Sequence, residues 1–264
     1  MVDVAVLAVG IYVLSKRYEI IMIPKVIHYI WFGGKPLPEL AQKCIASWRK
    51  YLPDYEIKRW DETNFDINII PYTQEAAQAK KWAFVSDYAR FWILYHYGGV
   101  YFDTDVEVIR QMDDILENGP YMGCERDNTE EGVTINPGVG FASEAKSDVL
   151  KALLNEYNNR HFDPDNIDIT IVGYTTEYFK QRGFKNEVSI QQVAEFTIYP
   201  KEYFCPALLN LSDNITKNTR TIHHYAGTWQ GWQYRILHAF YFNYIAKNRY
   251  IAPIYMKFKK LLKL

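Results

Sequence analysis

Cysteine is scarce in this chain: three residues, Cys44, Cys124 and Cys205, are scattered over 264 positions with no Cys-x-x-Cys spacing. An odd, dispersed set frames no disulfide network and no zinc site, and it points to a reducing, cytoplasmic setting. Long apolar runs are missing too. The stretch from Val4 to Leu14 falls short of the ~20 residues a membrane-spanning helix needs, and it lacks the basic start of a secretory signal. There is no internal repeat, low-complexity tract or linker, which excludes repeat arrays and leaves one main domain. No Ser-His-Asp arrangement and no phosphate-cradling glycine loop is present, so neither triad hydrolysis nor a P-loop is indicated.

Acidic residues also run out: after Asp213 there is none, while Lys217, Arg220, Arg235, Lys247, Arg249, Lys257, Lys259, Lys260 and Lys263 follow. Because the whole chain carries −1, those nine cations leave the first 213 residues at −10. No basic patch accompanies the middle of the chain, so nucleic acid is not the expected partner. The basic segment 246–264 interleaves its cations with Tyr250, Ile251, Ile254, Tyr255, Met256, Phe258 and leucines. That composition suits either a helix lying in an anionic membrane interface or a helix packed on the main domain with a solvated basic face. The balance of 48% hydrophobic and 23% charged residues is that of a globular protein with ample core.

Hydrophobic patterning divides the chain into alternating strands and helices. Lys25 to Phe32 reads as a buried parallel strand closed by Gly33-Gly34, and Glu39 to Tyr51 as a helix stopped before Pro53. Tyr55 to Trp60 is a second strand, and Gln74 to Tyr97 gives one or two helices with Gly98 as a left-handed cap. Gly99 to Ile109 reads as one strand, Val149 to Arg160 and Thr175 to Arg182 as helices, and Asn186 to Tyr199 as strand segments. The segment 231–264 reads as helical with a break at Pro253. The alternation implies a mixed α/β sheet.

The chemistry gathers around Gly98. Ser86-Asp87-Tyr88-Ala89-Arg90 lies on a helix, and Val100-Tyr101-Phe102-Asp103-Thr104-Asp105-Val106 follows the glycine break. On a strand, Asp103 and Asp105 share one face with Tyr101 and Glu107, and two adjacent carboxylates repel unless a cation lies between them. Mg²⁺ or Mn²⁺ suits such oxygens and leaves positions open for phosphate. Asp87 and Arg90, three apart, share a helix face. They are either a surface ion pair worth about 0.2–0.5 kcal/mol or, because Phe84, Val85, Phe91, Trp92 and Leu94 flank them, a buried pair with a job.

The run Ala83 to Gly99 with its Asp-x-Asp strand resembles the core signature of the family-32-type "DXD sugar-binding" glycosyltransferases. These include bacterial capsule and polysaccharide enzymes and are distantly related to glucosylating clostridial toxins. Ile23-Pro24-Lys25-Val26-Ile27-His28-Tyr29-Ile30-Trp31-Phe32-Gly33-Gly34 resembles the family's opening strand. Ile222-His223-His224-Tyr225-Ala226-Gly227-Thr228-Trp229 resembles its closing motif. The three motifs stand in family order across Met22 to Trp229.

The resemblance implies a GT-A-like, single-Rossmann-like mixed sheet with flanking helices over 22–230, a helical C-terminal appendage over 231–264, and an N-terminal extension over 1–21. It implies a Mn²⁺- or Mg²⁺-dependent transfer of a hexose from a UDP- or GDP-sugar to a glycan or lipid-linked acceptor, with retention of configuration. Asp87 and Arg90 would hold the donor sugar, Trp31 the base, Asn136 the sugar's surroundings, and Thr228 and Trp229 the donor phosphate or glycosidic oxygen. Asp103, Asp105 and His223 would hold the metal, with His224 the competitor of His223. Where the family shows Ser-Trp this chain has Thr228-Trp229, and Val172-Gly173-Tyr174 replaces a family Gly-Pro on the acceptor side. Two rival readings exist. A haloacid-dehalogenase-type phosphotransferase would need Thr or Val where Glu107 stands and a later Gly-Asp pair, which is absent. A non-catalytic glycan-binding protein of the same fold would lack turnover.

Overall fold

The computed structural model describes residues 23–164, 170–206 and 214–227. The expectations for 1–21, for 231–264 and for the membrane contact at 246–264 lie outside the described residues, as do Thr228 and Trp229. Among the described residues, no helix is long and apolar enough to cross a membrane.

In chain order the elements are β1 (Val26–Ile30), α1 (Glu39–Tyr51), β2 (Glu56–Trp60), α2 (Pro71–Gln78), α3 (Trp82–Tyr97), β3 (Gly99–Tyr101), β4 (Val106–Val108), α4 (Asp113–Leu116), β5 (Tyr121–Arg126) and β6 (Thr134–Ile135). A 3₁₀ turn (Pro137–Val139), β7 (Phe141–Ser143), α5 (Asp148–Tyr157), α6 (Ile171–Lys180), β8 (Gln191–Val193), β9 (Phe196–Tyr199), α7 (Lys201–Phe204) and β10 (Thr221–His223) follow. The main sheet runs β2-β1-β3-β7-β5-β9-β8, with β6 paired to β5. β1 is parallel to both β2 and β3, whereas β7 is antiparallel to β3 and β5. The sheet is therefore mixed, as expected from the sequence.

Period-2 alternation assigns each strand residue to one of two cores. Val100 and Phe102 join Ile27, Tyr29 and Trp48 beneath α1. Tyr101 joins Ile30, Phe91 and Phe141 on the opposite face, which α3 and α5 cover. Trp48 is fully buried and donates its indole N–H to the Val106 carbonyl at 2.7 Å, so α1 clamps β4.

One expected strand divides in two. Gly99 to Ile109 does not run straight: the backbone leaves the main sheet after Tyr101 and turns at Thr104-Asp105. It re-enters β structure as β4, which pairs antiparallel with β10 in a separate two-stranded sheet. A pattern of alternating apolar residues is the same for one strand and for two strands joined by a bend, so periodicity cannot see the break. The strands β5, β6, β7 and β10 carry no distinct sequence signal either, and α6 begins at Ile171 rather than Thr175.

The junction of α3 and β3 needs its two glycines. Gly98 caps the helix through its N–H to Leu94 O at 2.8 Å, with φ +64 and ψ −167, a region open essentially to glycine and not the left-handed helical one expected. A Cβ on Gly99 would stand 2.6 Å from the Val26 carbonyl oxygen. Bulk here would push β3 off β1 and the carboxylates with it.

His28 locks the same junction from β1. It is 1% exposed, accepts the Trp60 indole N–H at Nδ1 (3.0 Å), and donates from Nε2 to Gly98 O (3.0 Å). This fixes a neutral tautomer, and burial lowers its pKa from 6.5 to about 4, against the opposing pull of the Gly98 carbonyl. A depressed histidine contributes stability that is complete above its unfolded pKa and drains away as pH falls toward the folded one. Histidine NMR over about pH 7 to 5 should show His28 neutral with the proton on Nε2 throughout. A signal titrating near the ordinary value of 6.5 would overturn the assignment.

Candidate functional site

β1 and β3 are parallel neighbours, so both deliver their carboxyl ends to one edge of the sheet. Trp31 follows β1 there and Asp103 leaves β3 there, at the edge where open α/β sheets place their ligands. The Trp31 indole donates to the Lys35 carbonyl at 2.6 Å, which orients the ring on the turn 31–35. Continuing the alternation of β3 puts Asp103 on the face of Tyr101, toward α3. Near the middle of that helix stands Arg90.

The Arg90 guanidinium lies 2.9 Å from Asp87 Oδ1 and 3.3 Å from Asp103 Oδ1, with its side chain 5% exposed. It donates from Nε to Ser86 O at 3.2 Å and lies 5.0 Å from the Tyr101 ring centre. Tyr101 in turn donates its hydroxyl to Asp103 Oδ1 at 2.7 Å. The pair is therefore no surface ion pair but part of a carboxylate–guanidinium–carboxylate array whose Arg90 is buried and whose two aspartates are half-buried. Burial pushes the Asp87 carboxyl up to about 6, with Arg90 pulling down and Asp103 pushing up. Burial likewise raises Asp103, opposed by Arg90. Two carboxylates against one guanidinium leave an excess negative charge that favours a further cation.

The other half of the site comes from the small sheet. The β10–β4 pairing sets His223 opposite Val106, and the turn at Asp105 brings its carboxylate 3.3 Å from His223 Nε2. Ala226 N–H donates to Asp105 Oδ2 at 2.8 Å, and His224 N–H to the Asp105 carbonyl at 2.9 Å. Burial would raise the Asp105 carboxyl, but His223 and the Ala226 amide bring it down to about 2. Burial would lower His223, and Asp105 overrides it, holding the ring well above its ordinary value.

Asp103, Asp105 and His223 each present a ligand atom, all within 4.8 Å of one another. A donor set of two carboxylates and one imidazole fits Mn²⁺ or Mg²⁺. His224 points elsewhere: its Nε2 is 2.8 Å from Glu107 Oε2, which also receives Lys43 Nζ at 3.2 Å. This geometry places His223, and not His224, in the cluster with Asp103 and Asp105. Glu107, expected on the face of the aspartates, is turned away by the bend at Thr104.

Asn136 is 8% exposed and N-caps the 3₁₀ turn, accepting from Gly138 N–H at 2.6 Å and donating to Glu125 Oε2 at 3.1 Å. Gly138 is pressed against the array: a Cβ there would collide with Asp103 Oδ2 and stand 3.1 Å from Arg90 Nη1. Neither Gly138 nor Glu125 carries a functional signal in the sequence. Pro137-Gly138 reads there as an ordinary turn, and Glu125 has no motif around it.

The fold and the site together define a class: an α/β protein with a mixed sheet, paired aspartates at its carboxyl edge, and a late histidine folded back onto them. Residues 38–121 match the family described as "Glycosyltransferase sugar-binding region containing DXD motif". Over that stretch the chain is similar to this glycosyltransferase region, and the run Ala83 to Gly99 with Asp103 and Asp105 lies inside it. The opening strand β1 and the His223 motif lie outside the matched residues.

Inositol phosphoceramide mannosyltransferase 3 of Schizosaccharomyces pombe is 31% identical over 127 residues, covering 46% of this chain and 33% of that protein. Inositol phosphoceramide mannosyltransferase 1 of the same yeast is 31% identical over 119 residues, covering 41% of this chain and 36% of that protein. The chain thus spans about a third of the length of the curated relatives it matches. Among solved structures, the PaToxG glycosyltransferase shares the fold, with a TM-score of 0.50 at 17% identity over 66% of this chain and 76% of that one.

Proposed function

We propose that the protein is a divalent-metal-dependent glycosyltransferase that moves a hexose from a UDP- or GDP-sugar to a hydroxyl of a glycan or lipid-linked glycan, with retention of configuration. The observation that carries this is the convergence of Asp103, Asp105 and His223 within 4.8 Å, beside the Arg90–Asp87 pair. In this reading the three ligands hold Mn²⁺ or Mg²⁺, which supplies Lewis-acid neutralisation of the departing nucleotide diphosphate. Arg90 and Asp87 hydrogen-bond the donor sugar's hydroxyls, and burial preorganises them so that no solvent shell must be rearranged in the transition state. Trp31 stacks on the base, and Thr228 and Trp229 contact the donor phosphate or the glycosidic oxygen. A cytoplasmic enzyme at the inner membrane face, touching it through 246–264, completes the proposal.

The test is donor hydrolysis across a panel of UDP- and GDP-sugars, with GDP-mannose first because the curated relatives are named mannosyltransferases. One donor should be cleaved with Mn²⁺, and EDTA should stop it. Binding of every donor without cleavage in any acceptor mixture would favour the glycan-binding alternative. Release of inorganic phosphate from a phosphate ester would favour the phosphotransferase.

A further inference from the structure

The two halves of the Asp103–Asp105–His223 cluster come from different sheets, and one side chain outside both the sugar array and the ligand set holds the backbone beside Asp103. Glu125, at the end of β5, accepts the Asn136 amide N–H at 3.1 Å. Asn136 Oδ1 accepts Gly138 N–H at 2.6 Å, and Gly138 O receives the Asp103 backbone N–H at 3.4 Å. Through this turn the Gly138 backbone is seated against Asp103 and Arg90 so closely that no Cβ fits.

The hydrogen-bonded path that leaves Glu125 thus ends on Asp103.

We propose that Glu125 is a positioning residue that sets Asp103, through Asn136 and Gly138, into its metal-binding geometry. Asn136, expected from the sequence to face the donor sugar, is in this reading the first link of that path. The inference rests on the metal-dependent reading above. Groups that hydrogen-bond metal ligands directly affect affinity by about 10–100-fold, and Glu125, which acts through Asn136 and Gly138, is expected at the lower end of that range.

The experiment measures Mn²⁺ binding by the full chain with electron paramagnetic resonance, alongside thermal melting, for wild type, Glu125→Ala, Glu125→Gln, Asn136→Ala and the Glu125→Ala/Asn136→Ala double variant. Glu125→Ala should bind Mn²⁺ about tenfold more weakly or worse, and Glu125→Gln, which keeps an acceptor oxygen for the Asn136 amide, should recover most of the loss. The double variant should be no weaker than the worse single one, because both act on one path. Wild-type affinity in Glu125→Ala overturns the proposal, as does Glu125→Gln binding as poorly as Glu125→Ala, which would mean that the charge itself is used. If Glu125→Ala does not fold, the Glu125→Gln and Asn136→Ala measurements decide alone, and unchanged affinity in Asn136→Ala overturns the path. Wild-type protein that binds no Mn²⁺ overturns the metal reading itself, and is distinct from these results.

Discussion

Asp105→Asn should lower Mn²⁺-dependent turnover by on the order of a hundredfold or more, while the protein still melts cooperatively, at a temperature lowered by loss of the ion pair with His223. The carboxamide keeps an acceptor for the Ala226 amide, so the turn that carries it survives; what disappears is the charge that faces His223 and the ion. Asp103→Asn should lower turnover in the same way. Its array then holds one carboxylate against one guanidinium, which removes the excess negative charge without leaving Arg90 unpaired. His223→Ala should weaken Mn²⁺ binding far more than His224→Ala, because His224 is engaged with Glu107 outside the cluster. Turnover and Mn²⁺ titration of purified variants check all four. Near-wild-type turnover in either aspartate variant sinks the metal site, and the reverse order of the histidines moves the ligand to His224.

The second large effect is expected at Arg90. Arg90→Ala leaves Asp87 and Asp103 without their shared cation, and removing one partner of a buried ion pair costs about 3–5 kcal/mol. That loss of stability obscures any loss of function, so Arg90→Lys is the decisive variant. Lysine keeps the charge but not the planar fork that reaches two carboxylates and the Ser86 carbonyl together. Arg90→Lys should stay folded, and its turnover per folded molecule should fall by about a hundredfold through misplacement of the sugar-binding groups. Full activity in Arg90→Lys, with melting lowered in Arg90→Ala, would show that Arg90 only holds the fold.

Particular elements show how far the sequence reaches. The Asp87–Arg90 pair is legible as an i,i+3 spacing on a helix with apolar flanks, and those flanks correctly signal burial. Alternation assigns Asp103 to the face of Tyr101, which holds because β3 is still regular at Tyr101. The same rule assigns Asp105 to that face, and there it fails: the backbone bends at Thr104. Asp105 nonetheless meets Asp103, because the turn, not the pleat, brings it back toward His223. Glu107 shares the expected face and is turned away for the same reason.

The sequence by itself determined which residues are apolar at which period and where glycine permits a backbone that other residues strain, and therefore the first strand that ends before Trp31 and the helix–glycine–strand run that leads to Asp103. Those are local properties, set by side-chain chemistry within a few positions. Only the tertiary structure set His223 beside Asp105 and His224 beside Glu107, since the two are adjacent in sequence and differ in which carboxylate each one meets. It alone linked Glu125 through Asn136 and Gly138 to Asp103, across the pairings of β5 with β6, β5 with β7 and β7 with β3, which no local pattern encodes. Contacts between residues far apart in the chain depend on register and on the path of the backbone, and the arrival of His223 at the two aspartates is such a contact.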